Sequence, residues 1–211
     1  MDHLTPEGSA IARRTGADFI LLGVTAIELA LLFPLTPAFT IADWIYVLQH
    51  VLVLGFALAR RPPAARDDSL PAGAAVVVAY SYSYAQVAWL KWLPGNTTWS
   101  DGGLVLVTLA AFLSIASLLT LGRRFGVRPA VRGLTTTGPY RFVRHPMYLA
   151  YVLADIGYNL QEWNAGTALL VIAGWASLLY RIVAEERVLA RHDKWPDYVA
   201  SVRYRLVPGV W

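Results

Sequence analysis

The sequence predicts an all-α, polytopic membrane protein of about six transmembrane helices, with a polar site at its cytoplasmic, C-terminal end. Three observations carry this. Apolar residues fill 56% of the 211 positions and charged residues only 15%, against about 25% charged in a typical soluble domain. Apolar runs with nearly charge-free interiors recur along the chain, each near the ~20 residues that a spanning helix needs. Seventeen of the eighteen lysines and arginines fall before the first run, in alternate loops or in the tail. The positive-inside rule asks for that distribution when both termini are cytoplasmic.

The spans are expected at 17–36, 41–59, 72–93, 102–121, 146–161 and 164–183. The first follows Arg13 and Arg14 and has no clear small-x-small cleavage site before Pro34, so it reads as a retained helix. After the second comes the proline-rich inner loop Arg60–Asp68. The third carries Tyr80, Tyr82 and Tyr84, read as packing or belt residues. Behind the fourth lie Arg123, Arg124, Arg128, Arg132, Arg141 and Arg144. The fifth is short and contains Asp155. From the sixth, the chain leaves the membrane through Arg181 and enters a basic tail. The outer loops, near Pro37, Asn96 and Gln161, hold only Lys91. Any polar site is therefore expected on the inner side.

Composition also excludes chemistries. Cysteine is absent, which removes disulfides, cysteine-ligated metal and thiol catalysis. Four histidines at 3, 50, 145 and 192 are too scattered for a metal site. The net charge of +4 is accounted for by orientation and by anionic lipid, so nucleic acid is not an expected partner. No GxGxxG, P-loop, HExxH or GxSxG pattern occurs.

Two segments concentrate candidate chemistry. The first is Gly138–Tyr148, GPYRFVRHPMY, where Gly-Pro signals a turn and Pro146 suits the first position of a helix. The free N–H groups of that helix start, beside Arg144 and His145, would attract a carboxylate or phosphate. An ordinary basic membrane flank accounts for the same residue types. The second is Tyr180–Arg187, YRIVAEER. Arg181 and Glu185 are four apart and share a helix face. A guanidinium can orient an anion, and a carboxylate can hold an ammonium or ribose hydroxyls. Taken singly, that pair reads more simply as a surface ion pair. Both segments nevertheless sit at inner boundaries of neighbouring spans. The tail, WPDYVASVRYRLVPGVW, either lies at the interface or closes over a site, the former being the simpler reading. Glu28, His50 and Asp155 are ionisable residues inside spans and so functional candidates. A Glu28–His50 pair would be structural, whereas Asp155 lies two turns into its helix from Tyr148, within reach of a ligand.

GPYRFVRHPMY, a helical hairpin, RIVAEERVL and a Tyr198…Tyr204-Arg205…Pro208-Gly209 ending together resemble the isoprenylcysteine carboxyl methyltransferase family. This is an integral-membrane group that also includes phospholipid methyltransferases. The Gly138-Pro139-Tyr140 and Met147 variants resemble its prokaryotic branch. The resemblance covers about the last 80 residues. It implies a chain divided into N-terminal spans (1–125) and a cofactor-binding and catalytic region (126–211). It also implies S-adenosylmethionine as methyl donor and a lipophilic small-molecule or prenylated acceptor reached from membrane lipid. Leu134, Thr135, Tyr140, His145, Pro146, Met147 and Tyr148 would line the cofactor pocket, with Glu185 and Glu186 contacting it from the last span. Arg181 would face the acceptor and Arg144 support the site. The resemblance implies no metal, and an inner-membrane location. Phospholipid N-methylation and thiol S-methylation are alternatives within the family. A sterol-type reductase using NADPH and a non-enzymatic membrane scaffold are alternatives outside it.

Overall fold

The computed structural model describes residues 23, 25–27, 41–92, 96–97, 101–126 and 128–211. The expected first span lies largely outside them. Helices occupy the positions of the next five apolar runs: α1 (Ile41–Ala59), α2 (Leu70–Trp92), α3 (Asp101–Leu121), α4 (Pro146–Gln161) and α5 (Ala165–Leu189). A short α6 (Trp195–Ser201) follows in the tail.

Local chemistry sets the helix starts. Pro146 opens α4, where a missing N–H leaves no intrahelical bond unmade. Asn164 caps α5 by accepting a hydrogen bond from the Gly166 N–H at 2.8 Å. Ahead of α2, the Asp67 carboxylate accepts from the Ser69 N–H at 2.9 Å. The Ser69 side chain first, and this amide after it, hold the Asp67 carboxyl below its ordinary range. The α5 helix continues six residues past the expected end at 183. Nothing in RIVAEERVL breaks a helix, so its polar turns project beyond the apolar run.

Four two-residue strands modify the all-α expectation. β1 (Ala65–Arg66) pairs antiparallel with β3 (Ala130–Val131), and β2 (Asn96–Thr97) with β4 (Glu162–Trp163). The first ladder joins the loop after α1 to the segment after α3. The second joins the loop after α2 to the loop after α4. Arginine-rich loops thus pair with each other at one end of the bundle, and cation-poor loops at the other, as alternating helix direction requires. Arg60–Asp68 is accordingly no passive linker. Besides the ladder, the Arg61 N–H donates to the Arg123 carbonyl at 2.8 Å, and the Asp67 N–H to the Pro129 carbonyl at 3.0 Å.

The most extensive contacts are those of α3 with α4 and of α2 with α5. Gly103 and Gly157 make the first crossing possible: a Cβ on Gly103 would stand 2.7 Å from the Gly157 carbonyl oxygen. Small residues at a helix crossing let backbones approach in this way. At the second, Ser177 Oγ donates to the Ala75 carbonyl at 2.7 Å, and the Tyr82 ring occupies the space beside Gly174. An apolar cluster of Ala57, Val76, Leu118, Phe125 and Met147 lies between α1–α4 and the segment after α3.

Among the described residues, two helices are long and apolar enough to cross a bilayer, Asp101–Arg124 and Ala165–Leu189. Only 22% of the most apolar window of the first is buried. A soluble core helix would bury most of it, so this outward apolar face suits lipid.

Candidate active site

The site begins at a turn. Gly138 has φ of +58°, and a Cβ there would lie 2.6 Å from Thr120 Oγ1. Both the backbone conformation and the close approach require glycine. A 3-10 turn over Gly138–Arg141 then carries Tyr140 inward, where it is buried. Burial raises its phenol well above the ordinary tyrosine range, and the Glu185 carboxylate adds to the effect.

The tail closes over this segment. Tyr198 donates its hydroxyl to the Tyr140 carbonyl at 2.8 Å. The Arg144 and His145 N–H groups donate to the Tyr204 and Arg205 carbonyls, each at 2.9 Å. Two amides just ahead of α4 are therefore already satisfied by the tail. The tail is consequently part of the site's frame rather than a separate interfacial strip.

Across from α4, the last turns of α5 bring two carboxylates. Tyr148 donates its hydroxyl to Glu185 Oε2 at 2.8 Å. The Arg181 guanidinium lies over the same ring, 5.2 Å from its centroid. His145 stacks on Tyr148 with ring centroids 5.5 Å apart.

Glu186 turns to the other side, toward two guanidiniums and the His145 imidazole. One oxygen meets Arg144 Nε at 2.9 Å and His145 Nε2 at 3.2 Å. The second oxygen accepts from Arg205 Nε at 2.8 Å. One carboxylate thereby ties α5, the start of α4 and the tail together.

These elements enclose a cavity of about 60 Å³. Of the residues expected at the site, Tyr140, His145, Met147, Tyr148, Arg181 and Glu185 line it. The other five do not. Arg144 and Glu186 form the ion cluster beside it, and Pro146 is fully buried at the α4 start. Thr135 is buried and accepts from Arg124 Nη1 at 3.3 Å, and Leu134 precedes it half-buried.

Three cavity arginines had been read only as orienting charge. Arg124, Arg128 and Arg132 also line the cavity. A signal was present, since six arginines crowd the 22 residues from Arg123 to Arg144. Sequence alone did not say which faced inward. Tyr151, one turn beyond Tyr148, also lines the cavity.

Asp155 lies away from it. This buried carboxylate accepts from Trp175 Nε1 at 2.8 Å and from the Tyr82 hydroxyl at 3.0 Å, joining α2, α4 and α5. Its observed contacts belong to helix packing. The suggested Glu28–His50 pair lies outside the description, because Glu28 is not among the described residues.

Comparisons with known proteins bear on the same half of the chain. The profile of the isoprenylcysteine carboxyl methyltransferase family matches residues 103–191. Protein-S-isoprenylcysteine O-methyltransferase A of Arabidopsis thaliana is 28% identical over 111 residues, covering 49% of this chain and 56% of that protein. Protein-S-isoprenylcysteine O-methyltransferase B of the same plant is 26% identical over 111 residues, covering 50% and 56%. The chain thus spans about half the length of the curated relatives it matches. No solved structure matches it. The matched segment runs from the Gly103 crossing through the GPYRFVRHPMY turn to the Arg181–Glu186 helix exit, and in that segment the chain is similar to the isoprenylcysteine carboxyl methyltransferase family.

Proposed function

We propose that this protein is an integral-membrane methyltransferase that uses S-adenosylmethionine and acts on a lipophilic acceptor, best suited as a carboxylate of the isoprenylcysteine type. The observation that carries the reading is the convergence of His145, Tyr148, Arg181 and Glu185 on one cavity between α4 and α5. Its location is the cytoplasmic membrane of a prokaryote, with both termini and the site on the inner side.

The donor set fits the cofactor's chemistry. Glu185 offers a carboxylate to an ammonium or to ribose hydroxyls, guanidiniums offer partners for a carboxylate, and tyrosine faces suit a sulfonium. A cavity of about 60 Å³ takes a few water molecules at the ~10–15 Å³ that each requires. A nucleoside-sized ligand must therefore push aside the long arginine and tyrosine side chains around it.

When bound, the cofactor supplies an electrophilic methyl group on a sulfonium. A carboxylate acceptor would take that methyl on oxygen, with the C–S electron pair left on sulfur. No proton moves, because a carboxyl of pKa near ~3.5 is already ionised at neutral pH. Arg181 then holds and aims the acceptor from its place over Tyr148. Tyr148 and His145 orient Glu185 and the cofactor side, and the buried walls exclude water. Arg144 acts through Glu186, fixing the α4 start without touching the reactants.

The test is methyl transfer from labelled S-adenosylmethionine by detergent-purified protein into a lipid extract, with mass analysis of the product. A labelled, base-labile ester supports the carboxylate reading. NADPH binding without S-adenosylmethionine binding would replace it with a reductase.

A further inference from the structure

The tail has a second side. Val202 and Leu206 are buried, and Leu206 joins Tyr148, Leu178 and Ile182 in an apolar cluster. Arg203 and Val207, between and beyond them, are exposed. The chain then folds back on itself. The Val210 and Trp211 N–H groups donate to the Val207 carbonyl at 3.1 and 3.4 Å, and those of Arg205 and Leu206 to the Trp211 carbonyl at 2.8 and 3.2 Å. Gly209, with φ of +85°, makes the corner. The apolar side chains of this turn stay outside: Val210 is 79% exposed, and Val207 and Trp211 are exposed beside it. Phe142, two residues ahead of the bonds that clasp the tail to Arg144 and His145, is 62% exposed.

That clasp fixes the depth of the turn. It binds the tail to the two residues directly before Pro146, the first residue of α4. With α4 a membrane span, the turn and Phe142 lie at headgroup level. Two features suit them to lipid. Backbone entering a bilayer must have its polar groups bonded within the protein; this turn bonds its own, and Pro208 has no N–H to satisfy. Cations also accompany the apolar groups. The Arg141 guanidinium lies 4.6 Å from the centroid of the Phe142 ring, and that of Arg205 lies 4.8 Å from that of Trp211. Glu186 answers Arg205, but Arg141 and Arg203 are exposed, and residues 198–211 contain no acidic side chain. Tryptophan with arginine is the pairing expected at an inner headgroup layer, where basic residues attract anionic lipid.

We propose that the Val207–Trp211 turn and Phe142 form an interfacial anchor for an anionic bilayer surface. Val210 and Trp211 enter the boundary between headgroups and acyl chains, and Arg141 and Arg203 meet lipid phosphates. The inward side of the tail clasps the site while its outward side is seated in lipid. The anchor rests on α4 being a membrane span, as proposed above, and not on the chemistry of the cavity.

Because the chain has no cysteine, single thiols can carry a polarity-sensitive dye. Three variants of the full chain are labelled: Val210→Cys in the turn, Asp193→Cys at an exposed position before α6, and Phe112→Cys on the exposed face of α3. Each is reconstituted into vesicles of equal parts phosphatidylcholine and phosphatidylglycerol. Brominated acyl chains should quench the Val210 label about threefold more than the Asp193 label, and iodide in the buffer should do the reverse. Replacing phosphatidylglycerol by phosphatidylcholine should weaken the lipid quenching at Val210, as should Arg141→Gln or Arg203→Gln in the mixed vesicles. Val207→Cys gives the same reading should the Val210 variant fold poorly. A Phe112 label quenched by lipid beside a Val210 label open to iodide overturns the anchor and leaves the membrane placement standing. No lipid quenching at either position overturns both. A Val210 label shielded from both quenchers is covered by protein, which also overturns the anchor. Lipid quenching that ignores lipid charge and both arginine substitutions overturns the preference for an anionic surface.

Discussion

Tyr148 and Glu185 are joined across the α4–α5 groove by a 2.8 Å hydrogen bond, with Arg181 over the same phenol ring. The bond runs from a neutral hydroxyl to a carboxylate, a type worth about 1.5–3 kcal/mol. It fixes the direction in which Glu185 faces the cavity. Tyr148→Phe keeps the ring under Arg181 and removes only the donor. Its affinity for S-adenosylmethionine should fall about tenfold and its melting temperature by several degrees, as read by calorimetry and thermal unfolding in detergent.

Glu185→Gln keeps the shape and removes the charge. Because Glu185 lies outside the Arg144–His145–Arg205 cluster, the fold should tolerate this change. Methyl transfer should drop by about 100-fold, the scale of losing one charged positioning group. Turnover with wild-type activity would remove Glu185 from the site.

Glu186 has the opposite profile. It answers the Arg144 and Arg205 guanidiniums and the His145 ring at 2.8–3.2 Å, and deleting one side of a buried ion pair costs about 3–5 kcal/mol. Glu186→Ala should therefore lower thermal stability and free the tail to limited proteolysis, whereas Glu185→Gln should do neither. Combining Glu186→Ala with Arg205→Ala should cost less than the sum of the two, since the pair shares one interaction.

Asp155→Ala strands the Tyr82 hydroxyl and the Trp175 indole N–H inside the bundle. Each buried donor left without its acceptor costs about 1–3 kcal/mol. Lower thermal stability with unchanged KM for S-adenosylmethionine is expected. Asp155→Asn, which retains an acceptor oxygen, should recover much of the loss.

With a carboxylate acceptor, turnover should stay level between pH 6 and 9. The acceptor is already ionised there. Burial also holds the Tyr140 phenol far above the ordinary tyrosine range, so it keeps its proton throughout and cannot serve as a base. A steep rise with pH in initial-rate measurements would point instead to an amine or thiol that must first lose a proton.

Much of this arrangement was legible in the residues. Apolar length gave five helices within a few residues of their observed bounds, since each run is bracketed by charges or by Gly and Pro. Pro146 marked the start of α4, and the i,i+4 spacing put Arg181 and Glu185 on one wall. What remained hidden depends on contacts distant in sequence. Nothing local distinguishes Glu185 from Glu186, yet one faces the cavity and the other two arginines and His145. Arg124 and Arg132 look like any other basic flank until the β1–β3 ladder positions the segment that follows α3. The Tyr82–Asp155 bond joins residues 73 positions apart, beyond the reach of any periodicity.

The bonds from the Arg144 and His145 amides to the carbonyls of residues 204 and 205 also set an order of assembly. During translation, both walls of the groove can insert while those carbonyls are still inside the ribosome. A released chain truncated at residue 190 would keep both helices but lack the clasp that fixes the α4 start. Competence for ligand should therefore arrive late and abruptly, after insertion is complete.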